Sequence, residues 1–470
     1  MVEKRLAAEQ KPKSVNVRQL ALEALLQIME KGEYCDKILH QTLEENNFLE
    51  KRDRAFLTRL VEGTVERCLE IDYVINRYSK TPVKKMKPAV REILRLSVYQ
   101  IIYMDQVPDS AACNEGVKLA VIRKLTPLKG FVNGVLRNVA RFQSDIAYPS
   151  RKSNLTYHLS VWYSMPEWIV LRFLEEYGET ETEKILQSFL PEERYTTIRC
   201  NLAKISTEQV RESLERQRVQ VKEGKLFDYA LQVSSYGRLD ELEAFQKGWI
   251  QVQDESSMVV GEIAPVNADS FVIDVCSAPG GKALHLADRM EEQGKIIACD
   301  ITEEKVSLIR QNLIRTGIHN VKLKKNDALK LREEWIGTAD VVVADLPCSG
   351  LGVIGKKSDI KYKTKPEDIA SLAKQQQRML AVVSRYVKAG GILIYSTCTI
   401  ASEENQDNVQ WILQNLPFEA VSIEERLPEK LRGKTGNKGY IQILPGMADT
   451  DGFFVSAFRK VKNLEENIPK

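Results

Sequence analysis

Apolar residues recur at helical spacing through the first part of the chain. From Val15 to Met29, the residues Val17, Leu20, Leu22, Leu25, Leu26 and Met29 form an approximate stripe. The runs Leu49 to Leu69 and Pro88 to Met104 repeat the pattern. Gly and Pro are rare inside these runs, which favours helix over strand. The spacing therefore predicts an all-α bundle over residues 1–145. Residues 141–165, with Pro149, Ser150, Ser153 and Asn154, read as a linker, and helical spacing returns from Pro166 to Leu190. Thr196–Leu202 and Ala230–Val233 predict strands around a helix at Gln209–Gln217. Residues 146–255 are thus expected to hold a linker and a small α+β module.

From about Gly261 the texture changes. Apolar strands at Phe271–Val275, Lys295–Cys299, Val321–Leu323, Val341–Ala344 and Ile392–Tyr395 are interleaved with helical segments such as Ala283–Met290 and Glu303–Thr316. That alternation predicts a parallel α/β sheet over residues 256–470, with Phe453–Phe458 as a late strand. The fold class is multidomain: helical bundle, α+β connector, α/β domain.

Composition narrows the picture. The chain has 470 residues, 43% of them hydrophobic and 28% charged, which excludes wholesale disorder. Lys and Arg total 68 against 65 Asp and Glu, so the net charge of +3 excludes a histone-like polycation. The distribution is uneven. Residues 1–150 carry 25 basic against 19 acidic side chains, so the basic excess is N-terminal. Lys51, Arg52, Arg54, Arg59 and Arg67 accompany one helix, and Lys84, Lys85, Lys87, Arg91 and Arg95 the next. These are either solvated faces or a phosphate-binding surface. Met1 to Lys13 lacks the apolar stretch of a signal peptide, and no run approaches the roughly 18 apolar residues of a membrane span. A cytoplasmic protein without membrane contact is expected, with monomer as the default state. Eight cysteines are too sparse for a disulfide scaffold, and without a C-x-x-C pair or a histidine cluster no metal is expected.

The turn after the first α/β strand reads Asp274-Val275-Cys276-Ser277-Ala278-Pro279-Gly280-Gly281-Lys282. Adjacent glycines let backbone approach a ligand, and the turn opens a helix whose amides favour an anionic group. It matches neither G-x-G-x-x-G nor the P-loop. Asp300 follows the second strand, where a carboxylate can bond both ribose hydroxyls. Asp327, past the third strand, is placed to meet an adenine amino group. In this order along one sheet edge, the residues favour S-adenosyl-L-methionine over a pyrophosphate-bearing cofactor.

Two cysteines leave later strands on the same edge, in Ala344-Asp345-Leu346-Pro347-Cys348-Ser349-Gly350 and in Tyr395-Ser396-Thr397-Cys398-Thr399. A thiol beside a methyl donor suggests methylation of cytosine at C5. That carbon is too weak a nucleophile until a thiolate adds at C6 and makes it enamine-like; loss of the C5 proton then expels the thiol. The thiolate is the reactive form, so a depressed pKa or a nearby base is needed. Asp345 is the candidate for stabilising the adduct near N3 and N4. Cys35, Cys68, Cys113, Cys200 and Cys299 read as packing residues, and His285 and His319 as non-catalytic.

The segments Asp274 to Lys282, Ala344 to Gly350 and Ser396 to Cys398 resemble the signature motifs of the Nol/Nop/Sun RNA cytosine-C5 methyltransferases. Gln253 to Ser257, Asp359-Ile360-Lys361 and Asp451 to Phe454 resemble further family segments, so the likeness spans roughly residues 160–460. Arg52 to Phe56 and Pro108 to Gly116 resemble the helical domain of the antitermination factor NusB. The resemblance implies a NusB-like RNA-binding domain, an RNA-recognition-like connector and a Rossmann-like methyltransferase acting on 16S ribosomal RNA. It implies Cys398 as nucleophile and Cys348 as the residue that assists release. It places Cys276, Ser277, Ala278, Pro279, Gly280, Gly281, Lys282, Asp300, Asp327 and Asp345 at S-adenosyl-L-methionine, Cys276 through its backbone alone, and Lys282 is a further candidate to reach the substrate or the catalytic Asp. A departure is Ser358 before Asp359, where relatives often have Pro; it should loosen the turn and leave Asp359 available. The competing readings are a transfer RNA or DNA substrate, and a NusB-like RNA-binding factor with a vestigial methyltransferase domain.

Overall fold

A computed structural model describes residues 16–461; the expectation for Met1 to Lys13, and the first residue of the Val15–Met29 stripe, lie outside them. The chain divides into two compact units. Among the described residues, one comprises 16–182 with 357–363, the other 183–356 with 364–461.

The first unit is helical. Leu49–Leu69 is broken near Arg67, so the helices are Lys51–Glu66 and Cys68–Tyr78. Pro88–Tyr103 lies at the centre, its first turn set by Pro88 and its apolar side chains at Val90, Ile93, Leu94, Leu96 and Val98 in the core. The charge reading needs one correction here. Arg95 belongs to neither a solvated face nor a phosphate-binding surface: it is buried, bonded to Asp72 at 2.6 and 2.7 Å and to Glu92 at 2.7 Å. Arg91 pairs with Glu30, whereas Lys51, Arg52, Lys84, Lys85 and Lys87 are exposed. Residues 357–363 pack into this unit. Asp359 is buried and accepts from the Cys35 amide at 2.9 Å, at the start of helix Cys35–Glu45, and the buried Lys361 Nζ donates to the Glu66 carbonyl at 2.7 Å. Asp359 is therefore committed to a helix terminus.

The second unit holds two sheets. The smaller contains β1 (Thr196–Cys200), β2 (Gln220–Glu223), β3 (Ala230–Ser234) and β4 (Ile250–Val252), in the order β2-β3-β1-β4 and antiparallel throughout. Helix Thr207–Arg216, opened by a Ser206–Gln209 capping box, packs Val210 and Leu214 into its core. The larger contains β5 (Phe271–Asp274), β6 (Lys295–Asp300), β7 (Val321–Lys325), β8 (Ala339–Asp345), β9 (Val387–Thr397), β10 (Phe418–Ala420), β11 (Tyr440–Ile443) and β12 (Phe453–Lys460). Its order is β10-β12-β9-β8-β5-β6-β7, with β11 also on β12. Strands β5 to β9 pair in parallel, whereas β10, β11 and β12 pair antiparallel, so the sheet is mixed. Strand order reverses at β5, flanked by β6 and β8, and ligands in such sheets sit outside the strand ends at that reversal.

Candidate active site

The ends of β5, β6, β8 and β9 carry the predicted residues. After β5 the chain turns through Val275 to Gly280 into helix Gly281–Arg289. Gly280 sits at φ +105°, and a Cβ there would lie 3.0 Å from Ile309, so glycine is required. The turn is fixed by backbone bonds: Ser277 N to the Cys299 carbonyl at 2.8 Å and Gly280 N to the Ser277 carbonyl at 2.7 Å.

Asp300 closes β6. It is buried and accepts from the Ala278 amide at 3.0 Å and the Ile301 amide at 2.8 Å, with Lys305 Nζ at 3.3 Å. It thus holds the turn in place while its remaining lone pairs stay available for hydroxyl donors. Asp327, after β7, accepts from the Leu329 amide at 3.0 Å. Asp274, the last residue of β5, is fully buried and neither of its oxygens is hydrogen-bonded. Burial pushes its carboxyl up to about 7; the nearby Ser277 offsets this only in part, and Asp345 adds to it. The Ser277 hydroxyl faces this carboxyl and has no other partner. Sequence reading included Asp274 in the motif without giving it a role; its place directly before the turn was the available signal.

Asp345 ends β8 between two donors. Its Oδ1 accepts from Ser396 Oγ at 2.8 Å and its Oδ2 from Lys282 Nζ at 2.7 Å. Lys282 therefore reaches the Asp345 carboxylate, with its ammonium 5.2 Å from the Phe453 ring centroid. Beyond Asp345, Cys348 Sγ lies 3.3 Å from Cys398 Sγ, although the two are 50 residues apart. Both are partly exposed, unlike Cys35, Cys68, Cys113, Cys200 and Cys299, which are buried. The hydrogen bond to Cys398, together with burial, holds the Cys348 thiol well above its ordinary range. Cys348 thus keeps its proton within the pair. Close backbone contacts brace the loops. Gly352 N donates to the Cys398 carbonyl at 3.1 Å and Gly452 N to the Gly352 carbonyl at 2.8 Å, and a Cβ on Gly352 would lie 2.2 Å from the Gly452 oxygen. Lys356 Nζ joins Asp254 at 2.6 Å to Asp451 at 2.9 Å, tying together two family-like segments.

The parts fit S-adenosylmethionine. Unpartnered buried acceptors at Asp274 suit a cationic or N–H donor, Asp300 suits ribose hydroxyls, and the glycine turn leaves room for the ligand. Among the described residues no cluster of His, Cys, Asp and Glu could hold a metal, and no helix is long and apolar enough to cross a membrane.

This fold and site define an S-adenosylmethionine-dependent methyltransferase joined to a NusB-type helical domain. Residues 261–459 match the family described as 16S rRNA methyltransferase RsmB/F, residues 15–141 the NusB family, and residues 165–240 the ferredoxin-like domain of RsmF/B-like methyltransferases. The chain is 36% identical over 456 residues to the probable ribosomal RNA small subunit methyltransferase B of Bacillus subtilis (strain 168), covering 95% of this chain and 99% of that one. The solved structure titled PH0851 superposes with a TM-score of 0.80 at 26% identity, covering 96% of this chain and all of that one. NSun6 from Pyrococcus horikoshii, solved with SFG, shares the fold at a TM-score of 0.57 and 23% identity, covering 63% of this chain and 99% of that one. The chain belongs to the RsmB/F methyltransferase family, and its cofactor is S-adenosyl-L-methionine.

Proposed function

We propose that the protein methylates C5 of a cytosine in 16S ribosomal RNA, in the cytoplasm and as a monomer, through a covalent bond between Cys398 and C6. The observation that carries this reading is the 3.3 Å approach of Cys348 and Cys398 beside Asp345. Two thiols at one strand edge suit a reaction in which one forms a bond and the other manages its release. The name of the B. subtilis relative supports ribosomal RNA of the small subunit as the substrate.

The Cys398 thiolate adds to C6, and the displaced electron pair makes C5 nucleophilic. Asp345, oriented by Ser396 and Lys282, accepts from the cytosine amino group, and the Lys282 ammonium bound to it offsets the negative charge that develops toward N3. S-adenosylmethionine supplies the methyl group that C5 takes. Cys348 then assists as the C5 proton is lost to water, the C5–C6 double bond re-forms and Cys398 leaves C6 as the thiolate. The target base must be unstacked to enter, so an opened or single-stranded segment is expected.

The test is a pair of variants assayed on 16S RNA. Cys398→Ala should abolish methylation, and Cys348→Ala should accumulate an RNA–protein adduct that survives denaturing gels. Near-normal turnover by Cys398→Ala would overturn the assignment of the nucleophile, and an unchanged 5-methylcytosine map of 16S RNA in a deletion strain would overturn the substrate.

A further inference from the structure

The two cysteine loops are joined beneath the thiols by residues with no assigned role. Glu404 and Asn405 are consecutive, and both are fully buried. The Glu404 carboxylate accepts from Ser349 N at 3.0 Å, from Ser349 Oγ and from Gln376 Nε2 at 2.9 Å. Gln376 Nε2 donates in addition to the Pro347 carbonyl at 2.9 Å. The residues on either side of Cys348 are thus both held. Asn405 does the same for Cys398: its Oδ1 accepts from Thr397 Oγ1 at 2.6 Å, and its Nδ2 donates to the Thr399 carbonyl at 3.0 Å. Ser349 Oγ and Thr399 Oγ1, which follow the two cysteines, lie 2.7 Å apart.

A buried carboxylate is costly unless its oxygens are well supplied with donors. Ser349 N and Gln376 Nε2 can only donate, so an acceptor is required on that side of Glu404, and a glutamine would exchange these charge-assisted bonds for weaker neutral ones. General packing would be met more cheaply by an apolar residue. We propose that Glu404, with Asn405, is a positioning residue that sets the separation and aim of Cys348 and Cys398. This inference rests on the two-thiol reading of the site. Glu404 acts on the thiols through the loop residues it holds and through its charge, which helps to raise the Cys348 thiol.

The experiment uses the full-length protein with Glu404→Gln, and Thr399→Val beside Thr399→Ser. Two measurements are made: single-turnover methylation of 16S RNA at saturating cofactor, and the rate at which dibromobimane bridges Cys348 to Cys398 without RNA, read by peptide mass spectrometry. A displacement of about 1 Å can cost roughly 100-fold in rate. Glu404→Gln should therefore slow methylation by about 10- to 100-fold and slow bridging by at least about 10-fold, with S-adenosylmethionine affinity unchanged. Thr399→Val should move both readouts the same way, and Thr399→Ser, which keeps the hydroxyl, should recover most of the loss. Wild-type bridging and methylation in Glu404→Gln would overturn the proposal. So would a methylation loss that tracks lost cofactor affinity while bridging is intact. If Glu404→Gln does not fold, the Thr399 pair decides alone: equal bridging rates in Val and Ser refute the positioning role. Absence of an adduct in Cys348→Ala would instead overturn the two-thiol reading, which the RNA-free bridging assay does not depend on.

Discussion

The cofactor turn and the thiol loops lie on the same edge of one sheet and treat polar groups in opposite ways. At the turn, the Asp274 carboxylate and the Ser277 hydroxyl are buried with no partner beyond each other. Around the thiols, Ser349, Gln376, Thr397, Thr399, Glu404 and Asn405 hydrogen-bond one another. Unsatisfied groups mark where a ligand must supply the missing partner. Satisfied ones mark where geometry must be kept, leaving the sulfurs as the reactive atoms. The two halves of the site should therefore fail differently: one in affinity, the other in rate.

The largest expected effect breaks the thiol half alone. Cys398→Ala should lower single-turnover methylation by on the order of 1,000-fold or more, since covalent catalysis is lost outright. S-adenosylmethionine affinity, measured by calorimetry, should stay within about twofold. A parallel loss of affinity would show that the halves are not separate.

Next comes the cofactor half. Asp274→Asn removes the charge that a cationic ligand group would meet, and hydrogen bonds to charged groups contribute about 1.5–3 kcal/mol. Cofactor affinity should weaken by about 10- to 100-fold, while dibromobimane bridging of the cysteines keeps its wild-type rate. Saturating S-adenosylmethionine should restore most methylation; failure to do so would move Asp274 from binding to chemistry.

The same residue predicts a pH effect. Its folded-state carboxyl is raised from 3.8 to about 7, so the native state holds a proton that the unfolded chain releases between those values. Without cofactor, that group's contribution is fully present below about pH 4 and is lost as pH rises through about 7. Asp274→Asn should flatten this part of the stability curve, as read by urea unfolding at pH 5 and pH 8. A variant with an unchanged slope would show that the Asp274 carboxyl does not hold its proton in this way.

What the sequence revealed follows the same division. Strands β5, β6, β8 and β9 announce themselves as apolar runs, and the residues at their ends, Asp300, Asp345, Cys348 and Cys398, could be read from position alone. The antiparallel β10 and β11 could not, because each is short and gains its place only by pairing with β12. Glu403-Glu404-Asn405-Gln406-Asp407 is wholly polar or charged. Glu404 is buried there because its donors arrive from Ser349 and Gln376, 55 and 28 residues away, and no local pattern encodes that. Arg95 misled for the same reason: its carboxylate Asp72 lies 23 residues back, on another helix.

The smallest expected effect separates both halves from the remaining cysteines. Cys200, on β1, is packed in the core of the small sheet with Ile198, Val210 and Leu231, and burial pushes its thiol up to about 12. A thiol held there is neither ionised nor reachable at neutral pH, so it acts as a small hydrophobe. Cys200→Ala should cost only about 1–2 kcal/mol of stability as a small cavity opens, with methylation within about twofold of wild type. Iodoacetamide applied to the native wild-type protein should alkylate Cys398 well before Cys200, because the former is partly exposed and the latter is buried in the core of the small sheet. Equal labelling of the two would mean that exposure and ionisation do not set reactivity in this chain, and the distinction between two working cysteines and their packing counterparts would fall.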